Sequence, residues 1–327
     1  MSRILTRLCE SLLILFCIVT INFLLIRLMP GDAVEYIIGE DEYLRLLSTK
    51  PEVIEAVRAD YGLDRSFAEQ FVIYLSKTIR LDFGNSYRTK IPVLQTVSLS
   101  LRWTLLLAIP ATLLAAFLGG WLGMRVGWNP KKVGDTVAVS FMLLILTVPT
   151  NCIAIIFLMV FSFILRIFPL AGVSSGGLSG ISKVLDVLWH MALPLIVLTL
   201  SKTASNFMLM RNTVVSMRNE EYITVALSKG IGDTKVRRTH LLRNALPPFV
   251  TSLCIQFGQI LAGSMMIEVV FSWKGMGTLI YSSVTTKDFP MLQTCFLFIG
   301  ICIVMFNLLA DFVNLYLDPR TRRSADV

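Results

Sequence analysis

Six stretches of this chain, residues 8–28, 101–124, 137–167, 189–210, 246–271 and 291–315, are almost wholly apolar. Each reaches or exceeds the roughly 20 residues that an α-helix needs to cross a bilayer. The chain is 55% hydrophobic and 16% charged, whereas soluble domains carry about a quarter charged residues. A chain of this kind folds as a polytopic membrane protein. The third stretch is too long for one upright span and contains Pro149, so it reads as a tilted, kinked helix or a short hairpin.

Charge placement chooses between these. With six spans and a cytoplasmic N-terminus, the inside segments hold Arg3 and Arg7, then Arg125, Lys131 and Lys132. Arg211, Arg218, Lys229, Lys235, Arg237, Arg238 and Arg243 follow, and Arg320, Arg322 and Arg323 close the chain. Half of the 30 basic residues then lie on one side. Splitting the third stretch would move the seven-charge loop outside, against the positive-inside rule. The expectation is six helices with both termini in the cytoplasm.

The division that follows is a first membrane helix at 1–28, an external segment at 29–98, a five-helix core at 99–318 and a cytoplasmic tail at 319–327. The basic start and apolar run of the N-terminus resemble a signal peptide, but the run is long for one and no A-x-A site follows. A retained span is expected. The external segment lacks the basic bias and carries helix signals. Ser66 and Glu69 fit a capping box, and Phe71, Tyr74, Leu75 and Ile79 follow at helical spacing. It reads as a small helical subdomain.

Catalytic signatures are missing from the sequence. There is no GxxxxGK[ST] or HExxH, and Asp82-Phe83-Gly84 stands without the other kinase elements. The six cysteines form no CxxC pair, and the two histidines are far apart. The cysteines read as small buried hydrophobes. A net charge of +8 follows from membrane topology and calls for no nucleic acid.

Several polar residues fall within the apolar stretches, where they are costly. Gln256 and Gln259 can share a helix face with Gly263, and Glu268 follows near the outer end. They line a polar pathway or bond between helices, and spacing leaves both open. Lys202 and Asn206, four apart, pose the same choice. His190 reads as interfacial. Gly119, Gly123 and Gly127 form a doubled GxxxG that favours close helix packing; Gly258 and Ala262 repeat the small-xxx-small pattern more weakly.

One polar insert interrupts the apolar core: EYITVALSKGIGDTKVRRTHLLRNALPP, residues 221–248. Residues 221–229 read as a helix with Ile223, Ala226 and Leu227 on one side. Gly230-Ile231-Gly232 breaks it. Asp233 is placed to cap a second helix reaching about Ala245, which Pro247 and Pro248 are expected to stop. The second helix has no clean amphipathic period. Two short helices joined by glycines are more ordered than a solvated basic loop requires, and suggest a docking element for a soluble partner.

These residues resemble a known pattern. The run from Thr224 through Ala226, Lys229 and Gly230, followed by His240-Leu-Leu-Arg-Asn-Ala-Leu-Pro247, is similar to the EAA loop of ABC importer permeases, in its peptide/nickel version. Thr224 and Val225 stand where Glu-Ala opens the generic motif, Leu227 where Arg is frequent, and Thr239 where Arg is usual. Further landmarks follow in order: Met29-Pro-Gly-Asp32, Tyr61-Gly-Leu-Asp64, and Leu81-Asp-Phe-Gly-Asn-Ser86. Phe271-Ser-Trp-Lys-Gly-Met-Gly277 comes next, with Lys274 where Pro is common. Asp288-Phe-Pro290, Asn307-Leu-Leu-Ala-Asp311 and Leu317-Asp-Pro-Arg320 close the series.

The resemblance implies an all-α permease subunit, of the first-permease type, in a cell-membrane importer for peptides or for nickel or chelated metal. It implies a second homologous permease as heterodimer partner, two cytoplasmic ATPase subunits and an extracytoplasmic solute-binding protein. ATP and Mg would be bound by the ATPases, with no cofactor, metal site or catalytic residue in this chain. The loop at 220–247 would couple to an ATPase through Glu221, Tyr222, Ala226, Lys229, Gly230, His240, Arg243, Asn244 and Pro247. Gln256, Gln259, Gly263 and Glu268 are the pathway candidates. Two rivals are weighed against this. An ion-gradient-driven secondary transporter would favour inverted repeats and paired membrane acids, which the sequence lacks. A membrane signalling scaffold would need a cytoplasmic domain larger than the hairpin.

Overall fold

The computed structural model describes residues 2–28 and 31–317, so Met29, Pro30 and the expected tail at 319–327, with Arg320, Arg322 and Arg323, lie outside the described residues. Those described are overwhelmingly helical. In chain order the helices are α1 (Ser2–Arg27), α2 (Ala33–Ile38), α3 (Glu40–Thr49), α4 (Pro51–Asp60), α5 (Phe67–Ile79), α6 (Val93–Gly127) and α7 (Val133–Thr147). Then come α8 (Thr150–Phe157), prolonged by a π-helical stretch at Leu158–Ile164, α9 (Gly180–Arg218) and α10 (Glu221–Ser228). The single turn α11 (Asp233–Lys235) runs through a π-helical Val236–Leu241 into α12 (Leu242–Gly258). Last are α13 (Ile260–Gly263), α14 (Met265–Val270), α15 (Met276–Thr285) and α16 (Phe289–Leu317).

Four of these helices, α1, α6, α9 and α16, are unbroken and apolar enough to cross a membrane; counting each of two bent pairs as one span gives six. The third stretch, read as a tilted, kinked helix or a short hairpin, is one of those pairs. The helix before it ends at Thr147 and α8 begins at Thr150, turned by 94°. The cause is local. A residue preceding proline is driven out of the helical region, and Val148 is extended at φ −84°, ψ 123° before Pro149.

The expected fifth span is the other pair, bent by 65° at Gln259. Gly258 and Gly263 flank the bend, and glycine weakens a helix interior. The Ser264 hydroxyl bonds back to the Ile260 carbonyl at 3.1 Å, a local competitor for the helix ladder. Pro247 and Pro248, expected to stop the hairpin's second helix, instead lie inside α12. Each proline withholds the N–H that would bond the carbonyl four residues earlier, on Arg243 and Asn244, a loss that membrane helices tolerate.

The chain forms two compact units. One comprises the residues up to Arg102 with Gly275–Val304. In it, α5 has the expected capping box: the Glu69 amide donates to the Ser66 hydroxyl and the Ser66 amide to the Glu69 carboxylate. Those bonds from Ser66 hold the Glu69 carboxyl below its ordinary range. Their contribution to the α5 start is therefore present above that range and lost as pH falls through the lowered value. Ser66→Ala is expected to speed hydrogen exchange at the first α5 amides about fivefold.

Phe71 and Tyr74 pack on Phe23, with ring centroids 5.2 and 5.5 Å apart, whereas Ile79 is exposed. Asp32 caps α2 at the Val34 amide and also receives Tyr43 and Arg58. Asp288, buried, accepts the Ser86 hydroxyl and the Tyr87 amide. Two landmarks 200 residues apart in the sequence are thus one structural clasp. Burial pushes the nearby Tyr87 phenol up to about 12.

The other unit comprises Trp103–Lys274 and the chain from Met305. The doubled GxxxG of α6 lies directly on α9 there. A Cβ on Gly119 would stand 2.6 Å from Asn206 Cβ, on Gly123 2.7 Å from the Phe207 carbonyl, and on Gly127 2.8 Å from the Arg211 carbonyl. The contacts advance together along both helices, so α6 and α9 run parallel. Gly263, by contrast, has open space. Of the cysteines only Cys254 and Cys295 are buried; Cys9, Cys17 and Cys152 are exposed on this chain, correcting the reading of all six as buried. They sit on apolar faces that this chain alone does not cover.

Candidate functional site

The polar insert folds onto the ends of the membrane helices. Its first helix, α10, buries Ile223 and Ala226, while Tyr222, Val225 and Leu227 are exposed at 38%, 51% and 37%. Leu227 therefore does not join the buried side. The face that the second helix buries, which its sequence period does not reveal, consists of Val236, Leu241 and Ala245. They form one cluster with Ile223, Ala226, Met210, Val214, Phe249 and Trp128. Gly230 turns the chain at φ +75° with nothing within 4 Å of its missing Cβ, which is the left-handed conformation that glycine adopts without steric cost.

Asp233 is not a cap: Gly232 occupies the N-cap position with no side-chain bond. Its carboxylate instead accepts the indole N–H of Trp128 at 3.1 Å. The Arg218 and Arg237 guanidinium groups lie 5.6 and 5.7 Å from the same indole, within cation–π range. Trp128, one residue beyond α6, is 3% exposed. It ties three segments together, α6, the end of α9 and the hairpin, and a lone Trp after a glycine-rich span gave no signal of this.

A second brace sits one element away. Arg211 on α9 grips Asp135 on α7 with two bonds, Nε to Oδ1 at 3.0 Å and Nη2 to Oδ2 at 2.7 Å. Asp135 is 5% exposed and also takes the Lys131 amide. The hairpin is thus fixed to rigid helices, and its outward side carries Glu221, Tyr222, Val225, Lys229, Gly230, Arg243 and Asn244. His240 and Pro247 are half-buried. Asn244 donates back to the His240 carbonyl at 3.0 Å, an intrahelical bond.

The pathway candidates do not form one lining. Gln259 occupies the bend, so the continuous helical register that would align it with Gln256 and Gly263 is broken. Gln256 bonds across to Asn206 on α9, with Nε2 2.7 Å from Oδ1 and Nδ2 3.4 Å from Oε1. Glu268 is fully buried and accepts the Thr104 and Ser264 hydroxyls, both at 2.8 Å. Lys202 and Asn206 do not pair with one another: Lys202 donates to Thr112 at 2.9 Å. His190 is buried, its Nδ1 2.8 Å from the Asp186 carbonyl.

Comparison with known proteins places this multi-pass helical protein, with its braced polar hairpin, in the class of membrane permeases. The profile of the binding-protein-dependent transport system inner membrane component matches residues 116–323. The profile of the N-terminal part of the binding-protein-dependent transport system membrane component matches residues 1–108. The chain is 31% identical over 313 residues to the glutathione transport system permease protein GsiC of Pectobacterium atrosepticum, covering 94% of each chain. It is 30% identical over 328 residues to GsiC of Escherichia coli K12, covering 98% of this chain and 99% of that one. A Brucella abortus (strain 2308) protein provisionally named a peptide transport system permease is 30% identical over 321 residues, covering 98% and 99%. The chain belongs to the binding-protein-dependent transport system inner membrane components, as an ABC importer permease of the peptide/nickel family.

Proposed function

We propose that this permease conducts peptides across the inner membrane as part of an ATP-driven importer, and that its hairpin couples it to an ATPase. The observation that carries the coupling assignment is the hairpin's two-sidedness. Ile223, Ala226, Val236, Leu241 and Ala245 fasten it to the membrane helices, leaving Tyr222 and Val225 as an exposed apolar face beside Lys229. A partner helix-binding groove on a soluble subunit fits such a face. Force applied there passes through Trp128 and the Arg211–Asp135 brace as rigid-body motion of α6, α7 and α9. In this reading the loop at 220–247 is the EAA element, with Glu221, Tyr222, Ala226, Lys229, Gly230, His240, Arg243, Asn244 and Pro247 as its coupling residues.

Six spans with both ends in the cytoplasm are part of the proposal. The parallel packing of α6 on α9 supports the count: the intervening chain has to return across the membrane, and the bent α7–α8 pair is the apolar stretch that can carry it. The proposed assembly is a heterodimer with a second permease, two ATPases that bind ATP and Mg, and an external solute-binding protein. The proposed boundaries remain a first membrane helix at 1–28, an external helical segment at 29–98 and a core at 99–318. Peptides are favoured over nickel because the relatives are named for peptide and glutathione transport.

The test is uptake of a labelled tripeptide into proteoliposomes containing the full assembly. Uptake that needs internal-face ATP and the binding protein, and survives dissipation of ion gradients, supports the reading. Uptake abolished by ionophores and indifferent to ATP contradicts it. Purified alone, the chain is expected to hydrolyse no ATP. Gly230→Val adds a β-branched side chain at positive φ, costing about 1–2 kcal/mol in an exposed turn. Membrane insertion is expected to persist while ATPase association and uptake are lost; normal uptake would remove Gly230 from the coupling element.

A further inference from the structure

Lys202 is a cation inside a membrane helix with no counter-charge among the described residues. Its ammonium makes one hydrogen bond, to the Thr112 hydroxyl at 2.9 Å, although it has three donors. No ion pair among the described residues includes it. Among the carboxylates of its unit, Asp135 is engaged by Arg211 and Glu268 by the Thr104 and Ser264 hydroxyls. Nor is Lys202 at a helix end where it could reach the interface. It lies nine residues before Arg211 on α9, about 14 Å deeper along the axis. Thr112, which receives it, is fully buried, so the long side chain is held inward. One turn further along α9, the Asn206–Gln256 amide pair continues the polar surface.

An uncompensated ammonium at that depth is costly, and the cost is relieved whenever an anion passes beside it. We propose that Lys202 is the transit counter-charge for a carboxylate of the transported solute, making this permease selective for peptides with a free C-terminal or side-chain carboxylate. This rests on the peptide-import reading above and adds a specificity-determining residue to it.

The experiment compares uptake of one labelled tripeptide with that of its C-terminal amide, in proteoliposomes of the complete transporter. The wild-type chain is set against Lys202→Gln and Lys202→Arg. The binding protein's own preference is common to all three and cancels from the ratio of ratios, as in a double-mutant cycle. Lys202→Gln is expected to lower kcat/KM for the free acid at least about tenfold, since charged hydrogen bonds carry that much, with the amide little changed. Lys202→Arg is expected to keep the wild-type preference. An equal loss for acid and amide would make Lys202 a structural group, such as a partner for an acid of the neighbouring permease, and overturn the proposal. So would unchanged uptake of both. Failure of the wild-type transporter to take up either peptide would instead overturn the peptide-import reading itself, so the two failures are distinguishable.

Discussion

A chain carrying Gly123→Leu is expected to vanish from the membrane fraction or to accumulate only as a misassembled species. The reason is what stands opposite. A Cβ at Gly123 meets the Phe207 carbonyl oxygen at 2.7 Å, the Arg211 amide nitrogen at 2.9 Å and Met210 Cβ at 2.9 Å. Two of these are backbone atoms, so no rotamer change relieves the contact, and α6 has to move away from α9. Movement at that point also separates Gly119 and Gly127 from their contacts and pulls Trp128 from under the hairpin. Gly134→Leu is the control, because nothing lies within 4 Å of a Cβ there; it is expected to accumulate normally. Immunodetection of the membrane fraction, with fluorescence-detected gel filtration in detergent, reads both.

The second large effect is expected from Arg211→Met. Asp135, 5% exposed, then loses both guanidinium bonds and keeps only the Lys131 amide of its described partners. Removing one partner of a buried ion pair costs about 3–5 kcal/mol, because the remaining charge is buried uncompensated. The folded fraction surviving brief heating in detergent is expected to fall sharply. Adding Asp135→Asn to the same chain removes the stranded charge and is expected to recover most of the loss. A double variant no better than Arg211→Met would show that Arg211 acts through other contacts, such as its bond to Asn212.

The membrane helices were legible because composition alone forces them, and the capping box at Ser66 because its chemistry is local. The close packing at Gly119, Gly123 and Gly127 was legible for a related reason: small residues at four-residue spacing let membrane-helix backbones approach closely. The bend at Gln259 was not, since Gly258, Gly263 and Ser264 each weaken a helix only modestly and act together. Pro247 and Pro248 misled, because proline's rule for helices in water is relaxed within a membrane helix.

At the hairpin, Ile223 and Ala226 were readable from period. Val236, Leu241 and Ala245 were not, because a π-helical stretch at Val236–Leu241 shifts the register that a 3.6-residue period assumes. Trp128, Asp135 and Arg211 were missed as braces for another reason. Each interaction joins residues more than 70 apart, and a single sequence carries no mark of such pairing. The pathway candidates were chosen on polarity within apolar stretches, a criterion that also selects groups such as Glu268 that the fold buries and satisfies.

The central claim is that the exposed face of α10 holds an ATPase, and the double variant Tyr222→Asp/Val225→Asp tests it most directly. Both side chains point away from the cluster, so the chain itself is expected to fold and insert at wild-type levels. Co-purification of the ATPase subunits with the tagged permease is then the measurement. The account predicts that ATPase recovery falls at least about tenfold, as expected when two apolar anchors at an interface are replaced by carboxylates. ATPase recovery equal to wild type, with ATP-driven uptake intact, would contradict it.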